Sequence, residues 1–492
     1  MADQPATTVP GAGDTSGTPA VLAPPQRLEA DAIGVTQDTV IGMASSAPAA
    51  VMALILASLA GATAYGSAPS LIVTAIPMLI IAFAYHRLNM WNANCGASFE
   101  WVGRAINPYL GWYTGWLMIA GYVLGTISVI EVLGPSVLAI FSDSANSTAG
   151  NVGISIAVGA VMLILAVIGI RITARTQLAM AVVEYTILLG MAIWGLFYVL
   201  GHHPGTYPIS RGWFSLTGVG GKGSMVGGFL IAVFAFSGWD GTVYVNEEVT
   251  HRRKNPGRAA IMAVVLLTVI YVVAQFGLQG VVSPDKLQSN SSDALVYVAR
   301  ALGGSGWEKV MALALALSAI ASTNAGILLG ARITYGMASY RALPGFLASV
   351  PRRFSTPAAA TILFGVITIG ATVAYLVVTS VQNAFTYVVN GTGLLFALFY
   401  IMTAAASLVY YRRRIFSSVW NSIALGVLPL ASAVFLIWMT VKSSMAAPAA
   451  QNWSLFGILI AGVVLMIAVR VFLKSPFFGI GRESDSGADV SE

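Results

Sequence analysis

Charge is scarce in this chain. Of its 492 residues only 9% are Asp, Glu, Lys or Arg, while 57% are hydrophobic and the mean hydropathy is +0.80. Soluble domains carry roughly 25% charged residues, so these proportions exclude a water-soluble globule and indicate a polytopic membrane protein. Cysteine is scarcer still. Cys95 stands alone, which excludes an intrachain disulfide and a cysteine-rich metal site. The four histidines, His86, His202, His203 and His251, fall at or beyond the ends of apolar runs and form no His–carboxylate cluster. No Walker loop or nucleophile elbow occurs. The chain therefore reads as neither an enzyme nor a nucleotide-driven pump, with no metal and no cofactor.

Long apolar runs are what the chain does have. Segments able to cross about 30 Å of hydrocarbon fall near 38–62, 68–88, 107–140, 152–171, 176–201 and 224–249, then near 257–282, 307–337, 357–379, 384–411, 417–441 and 453–474. About 12 transmembrane helices are expected, forming one transporter-sized domain over 36–475. The flanking segments 1–35 and 476–492 are rich in small and polar residues and read as disordered cytoplasmic tails. With the N-terminus inside, only Arg211, Lys222, Lys286, Arg300, Lys309 and Lys442 fall outside, which leaves the other 19 of 25 basic residues inside. This positive-inside bias predicts a multi-pass plasma-membrane protein with both termini cytoplasmic. It also accounts for the net charge of +6 without any nucleic-acid partner.

Two runs are interrupted. The first reads VIGMASSAPAAVM, broken by Gly42, Ser45, Ser46 and Pro48; the sixth reads FAFSGWDGTV, broken by Ser237, Gly238 and Gly241. Proline removes a backbone donor and clashes with the preceding turn, and glycine weakens a helix by about 1 kcal/mol relative to alanine. Irregular backbone at mid-membrane depth is tolerated only beside a cavity or buried protein. A break at matching places in two halves of five helices predicts an inverted 5+5 repeat, about 38–201 and 224–411, with helices 11 and 12 appended over about 417–474. A polar solute site is expected between the breaks.

Three segments carry a further pattern. The sixth run continues as Phe236-Ser237-Gly238-Trp239-Asp240, then Glu247-Glu248, then Asn255-Pro256-Gly257-Arg258. The entry to the third run is GASFEWVGRAINPYLGWYTGW, and the eighth ends in ARITYGMASYRALP. These segments resemble the amino acid–polyamine–organocation (APC) superfamily of permeases, and the likeness covers most of residues 35–475. The resemblance implies an all-α, LeuT-like fold with broken helices 1 and 6, working by alternating access. It implies a substrate amine and carboxylate against the two breaks, lined by Ser45, Ser46, Ala49, Ala50, Phe234, Ser237, Gly238 and Trp239. Phe234 falls where some members carry an aromatic gate. Asp240 falls where the arginine–agmatine and putrescine exchangers carry a glutamate used in substrate and proton handling. The chain departs from the family twice. Pro48-Ala49-Ala50 replaces a Gly-x-Gly carboxylate cradle, and Glu184 stands where some proton-coupled members place a lysine.

Glu131, Glu184 and Asp240 are the acids read inside spans, and no Lys or Arg lies near a span centre to pair with them. A carboxylate at the bilayer centre costs at least about 2.5 kcal/mol, so each is expected to be neutral or matched by a bound cation. Asp240 and Glu184 are the candidates for proton coupling or amine binding. Glu247 and Glu248 are expected in ion pairs, and Asn324 and Asn390 either line the pathway or bond neighbouring helices. The expected function is a secondary-active, proton-coupled amino acid permease. Alternatives are a polyamine or amine carrier or exchanger, and a non-transporting membrane sensor. The implied partners are a small-molecule substrate, a proton or a sodium ion, and the lipid bilayer.

Overall fold

The computed structural model describes residues 28–141, 148–378, 381–479 and Gly481. Among them, twelve helices are long and apolar enough to cross a membrane. Numbered as spans 1 to 6, the first six are Val35–Ala62, Ser67–Trp91, Pro108–Phe141, Thr148–Ile168, Ile170–Leu200 and Met225–Glu248. Spans 7 to 12 are Asn255–Leu278, Ser305–Ser339, Ala358–Val377, Val388–Tyr410, Val419–Ala446 and Ala449–Phe472. The interior is built from spans 1 and 8, each 83% buried over its apolar window, whereas span 12 is 11% buried and lies at the rim.

Span 1 is two helices, 1a (Val35–Ser45) and 1b (Pro48–Ala62). Span 6 is likewise divided into 6a (Met225–Ala235) and the tighter 3-10 coil 6b (Trp239–Glu248). The packing repeats with an offset of five: 1a lies on 6b, 1b on 6a, span 2 on span 7, span 3 on span 8 and span 4 on span 9. Helices related by an internal two-fold axis meet their own counterparts near that axis, so this pattern is the inverted repeat seen as contacts.

The structure adds elements that a hydropathy reading leaves in loops. Ser98–Ala105 forms a helix between spans 2 and 3, and Pro284–Ser289 and Ala294–Gly303 form two more between spans 7 and 8. All three are too short to cross a bilayer. The tail expected over 1–35 is placed from Leu28 onward: Leu28 is buried, the Ala32 N–H donates to Glu248 O at 2.8 Å, and Ile33 bridges Val249. Similarly, Phe477 of the turn Pro476–Gly479 stacks on Phe99 at 4.6 Å. The rest of both expected tails lies outside the described residues.

Candidate functional site

Each break has a local cause. Helix 1a ends at Ser45, and Ala47 takes a left-handed φ of +45°, a conformation that costs a non-glycine residue roughly 1–2 kcal/mol. Pro48 then opens 1b, where its missing N–H is no loss. In span 6 the chain turns at Gly238, whose φ of +102° suits glycine alone. The two breaks touch. A Cβ on Gly238 would stand 2.9 Å from Ser45 O and 3.0 Å from Ser45 Oγ. One turn earlier, a Cβ on Gly42 would stand 2.6 Å from Thr242 Cγ2 and 2.9 Å from Trp239 O. Small residues are therefore required where the interrupted spans cross.

Breaking a helix frees backbone groups, and in a membrane each must find a partner. At span 1 the partners are mostly side chains from other helices. The Ala49 N–H donates to Glu184 Oε1 of span 5 at 2.9 Å, and the Ala50 N–H donates to Ser318 Oγ of span 8 at 3.2 Å. Tyr271 of span 7 donates its hydroxyl to Ser46 O at 3.2 Å, and Ser322 of span 8 donates to Ser45 O at 3.5 Å. Ser46 turns its own hydroxyl back on Gly42 O at 3.4 Å. At span 6 the Gly238 N–H donates to the Tyr400 hydroxyl of span 10 at 3.3 Å.

Asp240, one residue into 6b from Trp239, is fully buried. Its carboxylate accepts hydroxyl hydrogens from three tyrosines: Tyr400 to Oδ1 at 2.6 Å, Tyr122 of span 3 to Oδ2 at 3.4 Å, and Tyr244 of 6b itself to Oδ2. Hydrogen bonds to a charged acceptor contribute about 1.5–3 kcal/mol each. Phenols thus take the place of the missing cation. The cage is aromatic further out. Trp239 stacks on Tyr400 with centroids 5.1 Å apart and meets Tyr85 edge-on at 5.1 Å, and its indole N–H has no partner among the described residues. Phe396 tilts against Tyr122 at 5.3 Å.

The residues named from sequence thus divide. Ser45, Gly238 and Asp240 come together at the crossing of the breaks, with Ser46, Ala49, Ala50 and Glu184 forming the span 1 side. Ser237 is buried and donates to Val233 O at 3.3 Å within its own span. Phe234 is buried beside Gly393 of span 10, whose Cβ would lie 3.5 Å from it. Trp239 is enclosed in the tyrosine cage. Sequence reasoning passed over the cage tyrosines and Ser318. Tyr244 alone left a signal, four residues after Asp240.

Each of the other polar residues singled out from the sequence has at least one partner. Glu131 accepts from Tyr375 at 2.9 Å. Asn324 accepts from Gln177 at 3.0 Å and donates to Met162 O at 3.3 Å, and Asn390 donates to Gln451 at 3.2 Å, so both join helices. Glu248 forms a fully buried bidentate pair with Arg332, at 3.0 and 3.1 Å, and Glu247 accepts from the Cys95 N–H at 3.1 Å. Arg332 lies within span 8, toward its second end. Asp38 of 1a is a further acid inside a span, passed over in the sequence, and is fully buried with neither oxygen partnered among the described residues.

The comparisons with known proteins agree with this architecture. The family profile described as amino acid permease matches residues 36–468. The mouse Asc-type amino acid transporter 1 is 32% identical over 160 residues, covering 32% of this chain and 29% of the relative. The mouse large neutral amino acids transporter small subunit 2 is 30% identical over 181 residues, covering 37% and 32%. The chain thus matches about a third of the length of these curated relatives. Among solved structures, a single-residue mutant of the Eremococcus coleocola manganese transporter superposes with a TM-score of 0.60 at 14% identity, covering 89% of this chain and 95% of that one. MhsT in complex with L-phenylalanine does so with 0.55 at 15% identity, covering 84% and 99%. At such identities the likeness concerns the fold, which is of the LeuT type.

Proposed function

The chain belongs to the amino acid permease family of the APC superfamily, and on that premise we propose that it is a secondary-active, proton-coupled amino acid permease of the plasma membrane. The observation that carries this reading is the contact between the two breaks, Gly238 against Ser45, with the acid Asp240 beside it. In this account the solute lies between the interrupted spans, its ammonium toward the carbonyls at the breaks and Asp240, its carboxylate toward the first turn of 1b. The positive end of a helix favours a carboxylate there. Phe234 closes over the solute, and rocking of the helix bundle opens the site to the other side. Protonation of Asp240 would exchange acceptor for donor within the tyrosine cage, which supplies a bistable element that a proton gradient can bias. The relatives named as amino acid transporters support the substrate class. The net basic ends of spans support cytoplasmic termini.

A second reading is favoured by one observation. Glu184 already holds the Ala49 N–H, so a solute lacking a carboxylate, such as a polyamine, needs no seat at 1b. Uptake by purified protein in liposomes, with labelled L-alanine, L-leucine, L-phenylalanine, L-arginine and putrescine in parallel, separates the two. Accumulation of an amino acid but not putrescine supports the permease. Accumulation of putrescine alone replaces it with the amine carrier. Binding of a solute without any uptake in sealed vesicles would instead make the chain a membrane sensor.

A further inference from the structure

The first turn of 1b is the seat assigned above to a substrate carboxylate, yet every donor in it is used by the chain itself. Pro48 has no N–H, the Ala49 N–H is taken by Glu184 Oε1 at 2.9 Å, the Ala50 N–H by Ser318 Oγ at 3.2 Å, and the Val51 N–H by Ala47 O at 2.8 Å. Glu184 is only 1% exposed. A side-chain carboxylate therefore lies on the Ala49 N–H, at the same positive helix end that a solute carboxylate would use.

Resting on the amino acid permease reading, we propose that Glu184 is an internal competitor of the substrate's carboxylate, and that a proton taken up by Glu184 is what releases the Ala49 N–H to the substrate. Two carboxylates cannot both ionise beside one buried donor, because desolvation and like-charge repulsion act together. With Glu184 ionised, an arriving carboxylate meets occupied N–H groups and a second negative charge. With Glu184 protonated, its carboxyl is a weaker acceptor and becomes a donor. Ser318 Oγ, already beside Ala50, is positioned to accept that hydrogen, and the Ala49 N–H is freed. The proton enters Glu184 from the side on which the substrate arrives. When the substrate carboxylate leaves on the other side, Glu184 loses the proton there and retakes Ala49. One proton accompanies one substrate.

Among the described residues, the surroundings of Glu184 offer no competing cation near it. Span 5 packs on 1a, 1b, spans 4, 7 and 8, and the helix Ala294–Gly303. Helix 1b and span 4 carry no titratable group. The titratable neighbours of Glu184 are two phenols, Tyr185 on its own span and Tyr271 on span 7. The other groups on these elements lie toward helix ends or in pairs: Arg171, Arg175 and Tyr198 on span 5, Asp38 on 1a, and Arg258 on span 7. On span 8 they are Lys309 and Tyr335, with Glu308 paired to Arg300 of the short helix, which also carries Tyr297, and Arg332 paired to Glu248.

The test is equilibrium binding of labelled L-alanine, L-leucine and L-phenylalanine to purified full-length protein across pH 5 to 9. For whichever the wild type binds, the dissociation constant is expected to rise about tenfold per pH unit above the titration of Glu184, as one-for-one linkage requires. In Glu184→Gln, which carries no negative charge and whose amide oxygen is a weaker acceptor that yields Ala49 to an arriving carboxylate, binding is expected to be independent of pH and close to the wild type's acid plateau. Ser318→Ala removes an acceptor but no titrating group, and keeps the slope. A measurement without variants is proton uptake from weakly buffered solution on ligand binding, expected at one per ligand above that titration. A wild-type slope of zero, an unchanged slope in Glu184→Gln, or no proton uptake overturns this inference alone. Absence of binding by all variants across the whole panel overturns the permease reading and the inference with it.

Discussion

Three tyrosine hydroxyls converge on the carboxylate of Asp240, and the fold depends on that acceptor as much as the acid depends on its donors. In Asp240→Asn one oxygen becomes a donor facing phenols, but the volume is unchanged, so the protein is expected to insert and fold while losing proton-driven uptake. Vesicle uptake with matched protein amounts checks this, and normal uptake by that variant would remove Asp240 from coupling. Tyr400→Phe deletes both the bond to Asp240 and the acceptor for the Gly238 N–H. A loss of about 1.5–3 kcal/mol is expected, read as earlier thermal unfolding in detergent. The Glu248–Arg332 pair is fully buried, and removing one partner strands the other charge. Glu248→Gln is therefore expected to cost about 3–5 kcal/mol, with much of that recovered in a double variant that also replaces Arg332 by Met. Little of this was legible beforehand. The sequence distances from Asp240 to Tyr122 and Tyr400, 118 and 160 residues, are closed only by tertiary packing. Tyrosines inside apolar runs look like ordinary packing residues until a polar group is found beside them.

At the scale of the helix, the interrupted spans were the most legible feature, because proline and glycine act locally. Pro48 and Gly238 mark the breaks by their own backbone chemistry. Ala47 did not announce itself, since alanine carries no sign that its φ is positive. The 3-10 form of 6b, which packs on 1a and span 7, was equally hidden. Asp38 went unread because it lies within four residues of the start of 1a, where a hydropathy run is only beginning. Gly238→Ala sets a side chain in a left-handed conformation and drives its Cβ to 2.9 Å from Ser45 O. It is expected to abolish uptake, with membrane insertion retained because both flanking helices keep their apolar length. Gly42→Val adds a larger clash at Thr242 and Trp239 O, and is expected to be the more destabilising of the two on the same thermal assay.

For the whole molecule, the number of spans and the offset of five came from hydropathy and the paired breaks, and the contacts of 1a with 6b, 2 with 7 and 3 with 8 repeat that symmetry. The short helices Ser98–Ala105 and Ala294–Gly303 escaped because their length excludes a span. Orientation is open to direct labelling. Cys95 is fully buried, and burial with the nearby Glu247 and Glu248 charges pushes its thiol well above the usual range. Less thiolate means slower alkylation, so the wild type is expected to resist an impermeant maleimide. A cysteine replacing Lys222 is then expected to label from outside intact cells, and one replacing Arg412 only after lysis. The central claim is that contact between two broken spans makes a proton-driven amino acid site. Its most direct test is uptake of labelled L-alanine, L-leucine and L-phenylalanine into protein-containing liposomes with an imposed inward proton gradient. The account predicts accumulation of at least one of them above equilibrium, collapsed by a protonophore. Uptake of none, or uptake indifferent to the protonophore, would contradict it.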